Sequence, residues 1–324
     1  MTTTTLTGEV GLTDTHMPTW SEVGMYASAR FMMLQGIAGI VWWLMIWLWP
    51  TCRPWFFYLD EAQLTLRSIL LPDLLLFVLG SLTTSVMLYR QHPWACLFLA
   101  GVMGATSYAT LYCLGISLLT GHAWLATVMM SATMGMTLAC LWISHPRTSM
   151  PIIFRRTTCQ SPQNAVFQAT LQTVLFWLLF FLLLPRGLFL LEQHTGIPQF
   201  DTNRLQQTLA IVLFLLGACL GLSSSWLMAS LGHGTPMPLA CANRLVVVGP
   251  YRVVRNPMAI AGMMQGLAVG WWAGSPLIII YVILGGLVWQ TAVRPLEEHD
   301  LTLRFGQEYQ AYRQRVSCWI PRLK

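Results

Sequence analysis

Apolar residues in this chain run in long blocks rather than alternating with polar ones. The blocks fall at about Phe31 to Trp49, Ser68 to Tyr89, Trp94 to Thr120, Ala123 to Ile143, Ala165 to Leu184, Thr208 to Leu231, Pro257 to Trp272 and Pro276 to Ala292. A helix needs about 20 apolar residues to cross the hydrocarbon core of a bilayer, and these blocks are of that order. The pattern predicts an all-α polytopic membrane helix bundle of about eight transmembrane helices. The last two blocks are short and are separated only by Ala273, Gly274 and Ser275, the spacing of a tight helical hairpin at one membrane face.

Composition agrees with the lipid bilayer as the main partner. Charged residues make up 9% of the 324 positions and hydrophobic residues 55%, against about 25% charged in a soluble domain. The net charge of +6 is almost entirely arginine, since Lys324 is the only lysine. No basic face on a soluble module is visible, which excludes nucleic acid as a partner, and no pattern specifies an oligomeric state. With an even number of spans both termini share a side. Only Arg53, Arg67, Arg186 and Arg204 of the 18 basic residues fall on the opposite one. The positive-inside rule then puts both termini, and the loop between spans six and seven, in the cytoplasm, with a bacterial inner membrane as the expected location.

Residues 1–27 are threonine-rich and have no basic segment before an apolar core, so they read as a disordered polar tail rather than a signal. The loop from His145 to Asn164, with Pro146, Pro151, Pro162, Arg155 and Arg156, divides four spans from four. This gives a region of unknown role at 28–160 and a second domain at 161–324. The cysteines form no CxxC pair and sit mostly in apolar runs, as small hydrophobes do; Cys241 and Cys318 stand in polar context. Asp73, beside Pro72, is expected at the membrane interface near the start of span two.

Polar chemistry gathers near the C-terminus. The loop after span six reads Asn243-Arg-Leu-Val-Val-Val-Gly-Pro-Tyr-Arg-Val-Val-Arg-Asn-Pro-Met258 and enters span seven directly. Gly249-Pro250 signals a turn, and Pro257 suits a helix start because its missing N–H has no partner there anyway. The amides of that helix start, near Arg252 and Arg255, suit an anion; anchorage to anionic lipid is the plainer alternative. Gly262, Gly266, Gly270 and Gly274 form a bare helical stripe that helix packing explains. After span eight, Pro295 can start a helix with Glu297 and Glu298 in its first turn. Leu301, Phe305, Tyr309, Tyr312 and Val316 then recur at helical spacing, so this segment should lie on the membrane or over the hairpin.

Leu245-Val246, Gly249 to Met258, the short hairpin, Glu297-Glu298, Phe305-Gly-Gln-Glu-Tyr309, Tyr312, Val316 and Ile320-Pro321 together resemble the isoprenylcysteine carboxyl methyltransferase and phospholipid methyltransferase superfamily. The resemblance covers about residues 231–322. It implies a membrane-embedded methyltransferase that binds S-adenosylmethionine at the cytosolic surface. Carried over by position, Asn243, Arg244, Leu245, Val246, Tyr251, Arg255, Asn256, Pro257, Met258 and Ala259 line the cofactor pocket. Glu297 pairs with the cofactor's ammonium, with Glu298 as the alternative, and Arg294 lies near a substrate-facing position.

Asn256 stands where the group usually has histidine, and Ala259 where an aromatic is common. Asparagine keeps a donor and an acceptor but cannot exchange a proton near neutral pH. Methyl transfer from a sulfonium mainly needs alignment and exclusion of water, so an acceptor that is already nucleophilic is favoured. The expected acceptor is a lipophilic or small molecule bearing a carboxylate or thiol. The alternatives are an NADPH-dependent sterol-type membrane reductase, which needs extra cations for the added phosphate, and a non-catalytic membrane protein that keeps the fold.

Overall fold

The computed structural model describes residues 19–58, 62–144, 162–232 and 244–321. Among them every regular element is a helix. These are α1 (Trp20–Leu48), α2 (Ala62–Pro72), α3 (Gly80–Tyr89), α4 (Ala95–Thr120), α5 (Trp124–Ile143), α6 (Pro162–Trp177), α7 (Leu184–Thr195), α8 (Arg204–Gly232), α9 (Pro257–Ala273), α10 (Pro276–Val288) and α11 (Arg294–Arg315). Three pairs run on as single long helices through one-turn π segments: α2 and α3 through Asp73–Leu79, α6 and α7 through Leu178–Leu183, and α10 and α11 through Trp289–Val293. Proline clashes with the carbonyl four residues before it. For Pro185 and Pro295 that carbonyl lies inside the preceding π segment, whose wider turn accommodates the ring.

Among the described residues seven helices are long and apolar enough to cross a membrane. The eighth expected span is α9, whose 17 residues extend about 25 Å at the helical rise. Its stop is the hairpin: Gly274, at φ +65°, caps α9, and Ser275 Oγ accepts from the Ile278 amide to start α10. The longest described helix, Pro276–Arg315, carries the expected C-terminal amphipathic segment as a continuation of the last span. Residues 276–293 carry no charge and suffice for the crossing, so α11 projects beyond the membrane as a direct extension of the last span.

The N-terminal boundary also moves. The tail expected over residues 1–27 gives way to helix at Trp20, because Thr19 and Glu22 form a reciprocal capping box. Val23 and Ala27 are already buried in that first stretch. The linker expected at 145–164 lies largely outside the described residues.

Helices α1, α3, α4 and α5 pack around Phe31, Met32, Leu88, Leu99, Val102 and Cys140. Within the bilayer depth their polar atoms find one another. Gln35 Nε2 donates to Ser81 Oγ at 3.0 Å, and Thr137 Oγ1 donates to Gln35 Oε1 at 3.1 Å. Asp73 accepts from Trp43 Nε1 at 2.6 Å, so its carboxylate is paired with α1. In the C-terminal half the glycine stripe is a packing surface: Gly266 meets Val282 and Gly270 meets Ile279 of α10. Gly217 and Gly221 of α8 admit Ala261 and Gln265 of α9. At the end of α10 remote from α11, fully buried Glu192 of α7 accepts from Ser275 Oγ at 2.8 Å and from the Leu277 amide at 2.6 Å. The two halves meet where Val23 and Ala27 of α1 pack with Ala292 and Leu296 at the root of α11.

Candidate functional site

The loop before α9 is shaped by one glycine. Gly249 holds φ +59°, and a Cβ there would meet Leu227 Cδ1 of α8 at 2.5 Å, so only glycine lets the chain pass this close. The short 3₁₀ turn Gly249–Arg252 then directs Tyr251 inward. Tyr251 is buried, donates to the Ser224 carbonyl of α8 at 3.4 Å, and its own carbonyl accepts from Tyr312 Oη at 2.6 Å. Asn256 caps α9 without a side-chain bond to the helix; its Nδ2 donates instead to Cys318 Sγ at 3.4 Å. The Arg255 amide donates to the Ser317 carbonyl at 2.9 Å. The chain after α11 is thus folded back against the start of α9.

This return is possible because α11 breaks at Gly306, where φ is +51° and ψ −125°. Beyond the break, Tyr309 and Tyr312 turn toward Tyr251. Together these elements line a narrow cleft that opens to the outside. Arg244, Leu245, Val246, Tyr251, Arg255, Asn256, Pro257 and Met258 line it from the loop and the first turn of α9, and Glu297 and Glu298 from α11. Of the remaining sequence-predicted positions, Asn243 lies outside the described residues. Ala259 is not in the lining, since a helix turns about 100° per residue and carries it away from Pro257 and Met258. Arg294 stands beside the lining rather than in it. It sits one helical turn before Glu298 and donates from Nε to Glu298 Oε1 at 2.9 Å, a hold on the carboxylate.

The paired glutamates differ sharply. Glu298 is an ionic hub: Arg255 reaches Oε1 at 2.8 Å, Arg294 the same atom at 2.9 Å, and Arg313 reaches Oε2 at 3.6 Å. Glu297, one residue earlier, faces the cleft and has no hydrogen bond or ion pair among the described residues. Burial, with repulsion from Glu298 and Asp300 and only partial relief from Arg304, pushes its carboxyl up to about 7. A carboxylate shifted this way is poised to gain from a cation placed beside it. The same burial raises the phenols of Tyr251 and Tyr312, and pushes Tyr309 up to about 12, so all three stay protonated at neutral pH. Arg255 Nε is also buried and unpartnered among the described residues.

Five lining residues were not predicted as site residues. Met228 comes from α8, and nothing in its own apolar run distinguishes it. Leu301, Phe305, Tyr309 and Tyr312 were read as an amphipathic stripe; the structure turns this stripe onto the cleft.

A cleft that joins the end of α8, the loop before α9 and the first turns of α11 rests on one contiguous stretch of chain, and this stretch has a counterpart among known families. Residues 205–308 match the phospholipid methyltransferase family. The match covers α8 to α10 and the part of α11 that carries both glutamates; Tyr309 and Tyr312 lie just beyond it. No curated protein and no solved structure matches the chain. The protein is therefore a polytopic α-helical chain whose C-terminal part resembles a family of membrane methyltransferases.

Proposed function

We propose that the cleft binds S-adenosylmethionine at the cytoplasmic membrane surface and that the protein methylates a lipophilic or small acceptor. The observation that carries this reading is Glu297, an unpaired carboxyl in the lining beside a neighbour already neutralised by arginines. An ammonium group fits it, and the unpartnered Arg255 Nε fits an anionic group. S-adenosylmethionine carries both an ammonium and a carboxylate, and when bound it supplies a methyl group on a sulfonium. Met228, Leu245, Val246, Leu301 and Phe305 give the apolar wall that a flat base needs. Tyr251, Tyr309 and Tyr312 cover the cleft with uncharged phenols and exclude water, which favours an alignment-driven displacement.

Glu298 acts through position. It holds Arg255 and Arg294 in place and leaves Glu297 as the cleft's open acid. With Glu297 engaged by an ammonium and Glu298 paired with arginines, the lining keeps no second base among the described residues: His299 is buried away from it, and Asn256 cannot accept a proton. An acceptor that arrives nucleophilic, a carboxylate or thiol, is the better fit. A phospholipid amine is the second reading, favoured by the family match. An NADPH site is a poorer fit, because its added phosphate calls for further cations and, with Arg255 and Arg294 bonded to Glu298, Arg244 is the lining arginine left to supply one.

Isothermal calorimetry on detergent-solubilised protein with S-adenosylhomocysteine and NADPH tests the binding step. Heat with the first and none with the second supports the reading, and the reverse result overturns it.

A further inference from the structure

The helices outside the family match have no evident part in the cleft, yet one of them touches the element that carries both glutamates. At the root of α11, Leu296, Glu297 and Glu298 follow one another and point three ways around a single turn. Leu296 is buried with Val23, Ala27 and Ala292 against α1, Glu297 lines the cleft, and Glu298 meets the arginines. The turn is fixed from three sides, and α1 supplies one of them. Ala27 is fully buried, so the cluster has no room for added volume there.

Helix α1 is itself held firmly at this level. A Cβ on Gly24 would collide with the Ile143 carbonyl at the end of α5. Ser28 donates to the Cys140 carbonyl at 3.3 Å, and Ser144 donates to Ser28 Oγ at 2.8 Å. Glycine and two serines thus pin α1 to α5, while Val23 and Ala27 present the adjacent face of α1 to α11, where Ile143 of α5 also packs. Close packing transmits displacement rather than absorbing it.

We infer that the N-terminal end of α1 positions the glutamate-bearing turn of α11, with Val23 and Ala27 as positioning residues that set where Glu297 stands in the cleft. This gives the unmatched N-terminal region a part in the site: it is an outer brace that the phospholipid methyltransferase stretch lacks within its own residues. The inference rests on the S-adenosylmethionine reading given above. A shift of about 1 Å in a positioned group can cost on the order of 100-fold in rate, so a single oversized side chain at the brace is enough to be measured.

The experiment uses the full-length protein in detergent and reads S-adenosylhomocysteine affinity together with melting temperature. Ala27→Leu should stay folded with a melting temperature lowered by the overpacking and, at a temperature where both proteins are folded, bind at least about tenfold more weakly than the wild type, whereas Ala27→Ser should bind normally. Adding Leu296→Ala to Ala27→Leu returns the volume and should restore most of the affinity, and the affinity lost in Ala27→Leu should exceed that of a comparably destabilised variant remote from the cleft such as Glu192→Ala, which general destabilisation does not explain. Val23→Ala, which only removes volume, should also weaken binding and decides the matter if Ala27→Leu does not fold. Wild-type affinity in folded Ala27→Leu and Val23→Ala overturns the brace while leaving the proposed function intact. Failure of the wild type to bind S-adenosylhomocysteine overturns both.

Discussion

Replacing Glu298 with alanine leaves three arginines without their shared carboxylate, and the cost can be worked from their burial. Arg255 is 8% exposed and Glu298 11% at 2.8 Å, Arg294 is 21% exposed at 2.9 Å, and Arg313 is 54% exposed at 3.6 Å. The Arg313 pair is solvated and contributes about 0–1 kcal/mol. The Arg255 pair is buried, and removing one partner from such a pair costs about 3–5 kcal/mol because the other charge is stranded. Glu298→Ala should therefore lose about 3 kcal/mol or more of stability, roughly a 150-fold shift in the folding equilibrium. Chemical denaturation in detergent measures it. The double variant Arg255→Met/Glu298→Ala should recover part of the loss, since the stranded cation is gone. A single variant within about 1 kcal/mol of wild type, or a double variant worse than the sum of its parts, would refute the hub.

Glu297 should behave in the opposite way. Its folded carboxyl titrates near 7, above the 4.5 of an unperturbed glutamate, so the unliganded protein loses stability as pH rises between those values, and Glu297→Gln should flatten that slope. Affinity for S-adenosylhomocysteine should rise as pH increases through about 7, as Glu297 ionises against Glu298, Asp300 and Arg304 of its own helix and the neutral phenols of Tyr251 and Tyr309; a flat calorimetric profile from pH 6 to 8 would count against this. Gly249→Ala forces a Cβ onto Leu227 at positive φ and should cost about 1–3 kcal/mol, seen as a lower melting temperature with weakened binding. Glu192→Ala removes the acceptor of Ser275 Oγ and the Leu277 amide and should cost about 2–3 kcal/mol. It should leave S-adenosylhomocysteine affinity unchanged, because it acts at the far end of α10.

The membrane architecture was legible in the sequence because the bilayer imposes one length on every crossing, and an apolar block of that length has few other readings. The loop from Arg244 to Met258 was legible for a local reason, since its turn signal, arginines and helix start are adjacent in the chain. What was not legible depends on contacts between distant residues. Glu297 and Glu298 look alike in sequence, and only the approach of Arg255, 43 residues away in the chain, separates the paired acid from the open one. The stripe from Leu301 to Tyr312 has the spacing of a membrane-lying helix, and the break at Gly306 turns it over the cleft instead. The start of α1 was read as a polar tail because apolar periodicity carries no information about a capping box, and its packing on α11 joins residues more than 250 positions apart.

The most direct test of the central claim is transfer of radiolabelled methyl from S-adenosylmethionine into a total membrane lipid extract by the purified protein, run beside Glu297→Gln. The account predicts label in an extractable acceptor with the wild type, released by mild base if the acceptor is a carboxylate, and a loss of at least about tenfold with Glu297→Gln. Equal labelling by the two proteins, or none by folded wild-type protein across native extracts, would contradict it.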